Sequence, residues 1–126
     1  MKGIARAFIG AAITVAVSVA GFGAARAAGA FAIGACAAFG YSYDFKHMDK
    51  ARKKALANCK GKNCHVVATM RKRCAALAVD PKRSCKAYGW AVSRGLGRTE
   101  NLALRQCYRH GGRTCVIRSW ACDVKG

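Results

Sequence analysis

The sequence Ala55-Leu56-Ala57-Asn58-Cys59 recurs about 49 residues later as Ala103-Leu104-Arg105-Gln106-Cys107, with the frame A-L-x-x-C kept. Upstream of these segments, Ala38-Phe39-Gly40-Tyr41 matches Ala87-Tyr88-Gly89-Trp90. The eight cysteines divide into two successive sets of four, namely Cys36, Cys59, Cys64 and Cys74, then Cys85, Cys107, Cys115 and Cys122. A four-cysteine unit used twice therefore organises the chain, with repeats at about 36–79 and 85–123.

Both repeats contain strand patterns. Residues 39–45 alternate aromatic with small or polar side chains, which is typical of a half-buried strand, and residues 88–92 repeat this alternation. Further short apolar runs predict strands at 64–70, 74–79 and 115–120.

Each repeat also predicts one helix. Apolar residues at every fourth position predict a helix over about 50–58, with Asp49 as its N-cap. Thr99 is the expected cap of the matching helix over about 100–109, which Gly111-Gly112 ends. The order β-α-β-β followed by β-α-β predicts an α+β domain with an antiparallel sheet and two helices.

The first thirty residues differ in composition from the rest. Lys2 and Arg6 precede an uncharged run rich in Ala, Gly, Val and Ile, and two A-x-A patterns then end at Ala27 and Ala30. This layout is typical of a secretory signal at residues 1–30, cleaved after Ala27 or Ala30. An uncleaved membrane helix is the alternative, but the run is weakly hydrophobic and lacks flanking aromatic residues. We expect one periplasmic or secreted domain over 31–126, with no transmembrane span.

Length and charge limit the class of protein. A chain of 126 residues is too short for a multidomain enzyme, and its 53% apolar content argues against a disordered basic tail. The chain carries 23 Lys and Arg against 5 Asp and Glu, a net charge of +18. Loss of the signal would remove three basic residues and no acid, which leaves about +15.

Several motifs together resemble one family. They are Gly40-Tyr41-Ser42-Tyr43, the two A-L-x-x-C segments, Cys74-Ala75-Ala76-Leu77-Ala78, Tyr88-Gly89-Trp90 and Cys115-x4-Trp120-Ala121-Cys122. From about Ala38 to Asp123 the chain is similar to the domain of unknown function 4189 family of small secreted bacterial proteins. The resemblance implies export and a disulfide-braced α+β domain, but it carries no activity, ligand or catalytic residue. Cys36 and Cys85 are additions to the six-cysteine pattern of that family.

Eight cysteines in a small exported domain predict four disulfides. The repeat predicts pairs within each half and pairs that join the halves, namely Cys59–Cys64 and Cys107–Cys115, then Cys74–Cys122 and Cys36–Cys85. The family pattern gives no support to the last pair. Zinc bound by these cysteines with His65 or His110 is the competing interpretation, but no C-x2-C pair is present. We therefore expect neither a metal nor another cofactor.

The chain offers few groups for catalysis. Asp49, Asp80 and Glu100 already have expected roles in a helix cap, a turn and a helix dipole, so no carboxylate pair stands out. A small secreted nuclease or hydrolase that uses His65 or His110 is the alternative function. We predict no catalytic residue and leave the question of enzymatic activity open, with a non-enzymatic role favoured.

The basic residues fall in clusters expected to face solvent and to bind anions: Lys50, Arg52, Lys53, Lys54, Arg71, Lys72, Arg73, Lys82, Arg83, Arg105 and Arg109. If both helices pack on one face of the sheet, these side chains form one basic surface. The expected partner is an anionic envelope surface, an anionic polymer or an acidic protein, and nucleic acid is a further possibility. Aromatic residues for base stacking exist, but their alternation in strands favours core packing, as at Tyr41, Tyr43, Tyr88, Trp90 and Tyr108. The oligomeric state is not predicted.

Overall fold

Six strands and two helices make up residues 27–123, which the computed structural model describes. In chain order they are β1 (Ala28–Ile33), β2 (Phe39–Phe45), α1 (Met48–Asn58), β3 (His65–Met70), β4 (Arg73–Val79), β5 (Tyr88–Ser93), α2 (Leu96–Arg109) and β6 (Val116–Asp123). Two short 3-10 turns, Ala35–Ala37 and Pro81–Arg83, follow β1 and β4. Residues 1–26 of the predicted secretory signal lie outside the described residues.

The strands form two three-stranded sheets, with the orders β2-β1-β3 and β5-β4-β6. All pairings are antiparallel, so the predicted α+β class with two helices is confirmed, although there are two sheets where the sequence predicted one. The chain divides into two ββαβ units, a first unit at 28–70 and a second unit at 73–123. The predicted repeat boundaries were therefore wrong, because the strand at 74–79 begins the second unit.

Strand β1 was missed from the sequence. It is the central strand of its sheet and is buried along its whole length, from Ala28 to Ile33. A strand covered on both faces has no alternation of polar and apolar residues, so it lacks the signal that revealed β2. Its Ala- and Gly-rich composition also continues that of the predicted secretory signal.

Small side chains connect each helix to its sheet. Ala28, Ala30 and Ala32 of β1 form one buried cluster with Ala51 and Ala55 of α1. Side chains alternate between the two faces of a strand, so the residues between these alanines point away from the helix.

The second unit repeats this arrangement. Ala76 and Ala78 of β4 form a buried cluster with Ala103 and Cys107 of α2. In both units, the A-L-x-x-C frame thus supplies the buried side of the helix.

The two sheets pack against each other through their other faces. Phe31 and Ile33 of β1 meet Leu77 and Val79 of β4 in one cluster, and the four side chains are at most 2% exposed. Burial of side chains of this size contributes about 1.5–3 kcal/mol each. The resulting layers are α1, first sheet, second sheet and α2, so the helices lie on opposite outer sides of the molecule.

A glycine in each unit allows the helix to approach its neighbouring strand. A Cβ atom at Gly40 would overlap the Ala55 carbonyl oxygen and the Cys59 backbone nitrogen. At Gly89, a Cβ atom would overlap the Gln106 side chain and the Cys107 backbone nitrogen. The aromatic-Gly-aromatic motif found in the sequence is therefore the point where strand and helix end touch.

Both helices begin earlier than predicted. His47 takes the N-cap position of α1, and Asp49 lies within its first turn. The second helix begins at Leu96, and Thr99 is a buried residue inside it. The Thr99 hydroxyl donates to the Gly95 carbonyl at 2.7 Å, a bond within the helix rather than a cap. The C-terminal end of α2 agrees with the prediction, since Gly111 follows this helix with a φ of 91°.

The basic segment Arg71-Lys72 connects the two units. It leads from β3 in the first sheet to β4 in the second, so β3 and β4 are not paired as a hairpin. The strong positive charge of this segment therefore lies at the junction of the two units.

Candidate functional site

Four disulfides join the cysteines of the described region in the pairs that the repeat predicts: Cys36–Cys85, Cys59–Cys64, Cys74–Cys122 and Cys107–Cys115. One structural role differs from the expectation. Cys74 and Cys122 are opposite each other in the pairing of β4 with β6, so their bond lies within the second unit. Only Cys36–Cys85 joins the two units.

These bonds indicate an oxidising environment. Within residues 27–123, no helix has the length and apolar character needed to cross a membrane. The same part of the chain contains no group of three His, Cys, Asp or Glu side chains placed to hold a metal ion.

The predicted anion-binding residues are exposed, with Arg83 partly so, but they do not share one face. They occupy α1, the junction between the units, the 3-10 turn after β4 and α2: Lys50, Arg52, Lys53 and Lys54; Arg71, Lys72 and Arg73; Lys82 and Arg83; Arg105 and Arg109. Because the helices cover opposite outer sides, the single basic surface expected from the sequence is divided. Arg98 joins Arg105 and Arg109 on the exposed side of α2, since spacings of seven and four place side chains on one helix face.

Two of the acidic side chains are buried and hold backbone segments. A carboxylate oxygen of Asp80 accepts hydrogen bonds from the backbone of Arg113 at 2.9 Å and Thr114 at 3.3 Å. The pKa of Asp80 is lowered, and the hydrogen bond from the Arg113 N–H group is the largest cause. Burial raises this pKa, whereas the Lys82 and Thr114 N–H groups and the Arg83 charge lower it further. Asp123 accepts from the Asp44 N–H group at 2.9 Å and so connects the two units.

The two candidate catalytic histidines each contact their own unit. The His65 ring lies 3.2 Å from the Asn63 carbonyl oxygen, and the His110 ring lies 2.7 Å from the Gln106 carbonyl oxygen. His110 lines a cavity of about 560 Å³ beside β5 together with Lys86, Tyr88, Trp90 and Gln106, and His65 is not among the lining residues. This cavity does not combine the two histidines that a ribonuclease-like mechanism needs.

A second cavity lies where the first unit meets the second. Tyr41 and Tyr43 of β2 line it from one side, and Arg118 and Trp120 of β6 line it from the other. Its volume is about 470 Å³. Tyr43 is 57% exposed and Trp120 is 51% exposed. We call these four residues the aromatic groove.

The aromatic groove is attached to the core. The rings of Phe31 and Tyr41 stack with centroids 6.4 Å apart, and those of Tyr41 and Tyr43 stack at 6.3 Å. Arg118 donates toward the carbonyl oxygen of Ala37 at 3.4 Å, a contact between the units. The alternation in β2 assigned these tyrosines to the core, and Trp120 stood out only as part of a family motif. The repeat comparison could have found it, because Trp120 has no aromatic counterpart in the first unit.

Comparison with known proteins agrees with this fold. The model of the family described as Domain of unknown function (DUF4189) matches residues 28–122, so the chain belongs to that family. The chain resembles the NMR structure of Rv1813c from Mycobacterium tuberculosis, with 21% sequence identity and a TM-score of 0.56. That match covers 98% of this chain and 97% of the other. No curated protein matches the chain.

Proposed function

We propose that this protein is an exported binding module whose two cationic helix faces hold anionic components of the cell envelope, such as lipid phosphates. The observation that carries the proposal is the exposure of basic side chains on both outer layers. The α1 face consists of Lys50, Arg52, Lys53 and Lys54, and the α2 face consists of Arg98, Arg105 and Arg109. Burial of Asp80 and Asp123 takes two of the few acids away from this surface.

The magnitude of the attraction supports surface binding. A Lys or Arg side chain near an anionic membrane contributes about 1 kcal/mol, so each face gives about 3–4 kcal/mol and only modest affinity alone. Two faces on opposite sides can engage two surfaces or two polymer segments at once, which increases the overall avidity. The protein would therefore bridge anionic surfaces as well as bind them.

Export is part of the proposal, and the position of β1 bears on it. Cleavage after Ala27 would leave β1 whole, because this strand begins at Ala28. Cleavage after Ala30 would remove half of a buried central strand. We therefore favour Ala27 as the last residue of the signal and propose a periplasmic or secreted location for the mature chain.

The test uses vesicles of phosphatidylglycerol mixed with phosphatidylcholine. Sedimentation measures binding, and turbidity measures clustering of the vesicles. Two matched triple variants remove three charges each, Lys50→Gln, Lys53→Gln and Lys54→Gln on α1 and Arg98→Gln, Arg105→Gln and Arg109→Gln on α2. Each triple variant should still bind but no longer cluster vesicles. The variant with all six changes should bind about 100-fold more weakly.

Several outcomes would overturn the proposal. Clustering by either triple variant at the wild-type level would contradict the proposal that both helix faces are needed to bridge vesicles. Binding that persists in 1 M salt would contradict the proposed electrostatic attraction. Binding to polyglutamate but not to vesicles would replace the envelope component by an acidic protein. His65→Ala and His110→Ala leave both faces intact and are the controls. Turnover of RNA that is lost in either control would favour the hydrolase instead.

A further inference from the structure

We propose that the disulfide Cys36–Cys85 is a site of thiol–disulfide exchange for small anionic thiols. It is the only disulfide that joins the first unit to the second. The site lies apart from the cationic helix faces, and it does not depend on the proposed binding to anionic surfaces. Exposure of both cysteines, an unfavourable backbone at Cys36, a neighbouring cavity and two nearby cations all favour exchange at this bond.

The two cysteines of this disulfide are both exposed. Cys36 lies in the 3-10 turn after β1, and Cys85 lies shortly before β5. Each of the other three disulfides contains at least one buried cysteine that is at most 8% exposed, and these are Cys59, Cys74, Cys107 and Cys115. Exchange begins with the approach of a thiolate to a sulfur atom, so access favours attack at Cys36–Cys85.

Glycine backbone lies against two of the other disulfides. A Cβ atom at Gly34 would lie 2.7 Å from the sulfur atom of Cys64. A Cβ atom at Gly112 would overlap the sulfur atoms of Cys115 and Cys107. The same backbone limits the approach of a thiolate to these bonds, which then depends on local opening of the structure.

The backbone at Cys36 has a conformation that favours glycine. Cys36 has a φ of 57° and a ψ of 36°, and Ala37 after it has a φ of 59°. Left-handed conformations of this kind are unfavourable for residues that carry a Cβ atom. Release of Cys36 from the disulfide would allow this turn to relax, and exposed or strained disulfides are the labile ones.

A cavity beside Cys85 has room for the incoming thiol. Its volume is about 560 Å³, which is within the range of small-molecule sites, and Cys85 is one of its lining residues. Lys86 and Gln106 also line it and offer hydrogen-bond donors. Among the described residues, its lining includes no carboxylate, so an anionic thiol is not repelled at close range.

Two cations favour attack at Cys85 and departure of Cys36. Lys86 follows Cys85 directly and attracts the incoming thiolate. A guanidinium nitrogen of Arg118 lies 3.5 Å from the Cys36 carbonyl oxygen, so positive charge is held beside Cys36. A neighbouring cation stabilises a thiolate, and the sulfur whose thiolate is stabilised leaves more readily.

The reaction exchanges one disulfide bond for another without net oxidation. The thiolate sulfur of the incoming molecule forms a bond to Cys85 Sγ, and the Cys36–Cys85 bond breaks with its electron pair on Cys36 Sγ. The products are a mixed disulfide at Cys85 and a thiolate at Cys36, which takes up a proton according to the pH. The covalent tie between the units is thereby opened, while the chain itself stays continuous.

The experiment uses the oxidised mature protein and reduced glutathione, which is a small anionic thiol. After incubation near neutral pH, iodoacetamide traps the freed thiols, and mass spectrometry of peptides locates both modifications. We expect glutathione on Cys85 and the trap on Cys36. This modification should be at least about 10-fold faster than that of any other cysteine, because buried sulfur atoms are attacked only after local opening.

Matched variants test the role of Lys86. Lys86→Gln removes an exposed charge shortly before β5, and Arg94→Gln removes one directly after this strand, which separates the two positions by about 20 Å. Lys86→Gln should slow the modification by about 3-fold, as expected for one unit charge several ångström from the attacking thiolate. Arg94→Gln should leave the rate unchanged.

Modification of another disulfide at the same rate would overturn the proposed site, as would the absence of modification at Cys36 and Cys85 in excess glutathione. Glutathione on Cys36 with the trap on Cys85 would overturn the assignment of the attacked sulfur. Equal slowing by Lys86→Gln and Arg94→Gln would overturn the role of Lys86. Vesicle binding is a separate measurement, so its failure would reject the proposed function and leave the exchange site standing.

Discussion

The first and second units share a scaffold but differ in how their loops are fixed. In both, a glycine on the strand meets the end of the helix, at Gly40 and Gly89. In the first unit, the Ala35 N–H group donates to the Lys62 carbonyl at 2.8 Å and so joins the turn after β1 to the loop after α1. In the second unit, the Asp80 side chain makes the corresponding connection to the loop after α2.

Loop length explains this difference. The disulfide after α1 has a sequence separation of 5, and the one after α2 has a separation of 8. The longer loop needs a side chain to reach its backbone N–H groups, and a buried carboxylate that accepts several such bonds is stable when charged. Repetition thus preserves contacts between helix and sheet, while loops and exposed rings diverge. The diverged positions include Trp120, which is in the edge strand β6.

Removal of disulfides should have the largest effect on stability. Cys36–Cys85 spans 49 residues and joins the units, whereas Cys59–Cys64 spans 5 within the first unit. Chain entropy predicts a loss of about 4 kcal/mol for Cys36→Ala with Cys85→Ala and about 2 kcal/mol for Cys59→Ala with Cys64→Ala. Urea unfolding without reductant measures both. Equal losses would show that loop length does not govern these bonds.

Glycine substitution tests whether the units are equivalent. Gly40→Ala and Gly89→Ala each place a methyl group against the backbone of a helix, so each should destabilise the protein by roughly 3 kcal/mol. Gly97→Ala on α2 is the control, because nothing lies within 4 Å of its Cβ position, and it should stabilise by up to about 1 kcal/mol. A large difference between Gly40→Ala and Gly89→Ala, measured by thermal unfolding, would break the equivalence of the units.

Acid should lower the stability of the second unit specifically, and this is the smallest of the three expected effects on stability. Hydrogen bonds hold the pKa of Asp80 below its ordinary value of 3.8, so the unfolded chain takes up a proton first as the pH falls. The stabilisation is therefore complete well above pH 4 and decreases as the pH falls through 3.8 toward the folded value.

The variant Asp80→Asn should lower the urea midpoint at pH 7 and flatten the decrease of stability below pH 4. Asp49→Asn, at an exposed position on α1, is the control and should keep the acid response of the parent. An unchanged acid response in Asp80→Asn would show that other groups cause the loss of stability below pH 4.

Local patterns in the sequence were sufficient for much of the fold. The alternation of aromatic residues predicted β2 with its observed ends, Phe39 and Phe45, and the repeat predicted which cysteines pair. Each of these features depends on neighbours along the chain or on symmetry between the units. The helix starts were less accurate, since Thr99 was read as a cap although its hydroxyl bonds within the helix.

Long-range packing accounts for what the sequence did not predict. The existence of β1 and the separation into two sheets depend on which faces are covered, and a run of alanines does not specify this. The same separation places Lys53 and Arg105 on opposite sides of the molecule. Exposure of Trp120 depends on the position of β6 at the edge of its sheet, which no local pattern encodes.

The pattern of disulfides gives the chain a particular covalent topology. Three bonds close loops inside one unit or the other, and Cys36–Cys85 is the single covalent tie between units apart from the peptide backbone at Arg71-Lys72. These exposed basic residues offer cleavage sites to proteases of trypsin-like specificity. A chain cut there becomes two polypeptides that a reductant can separate. Until a reductant breaks Cys36–Cys85, the two polypeptides remain covalently joined as one molecule.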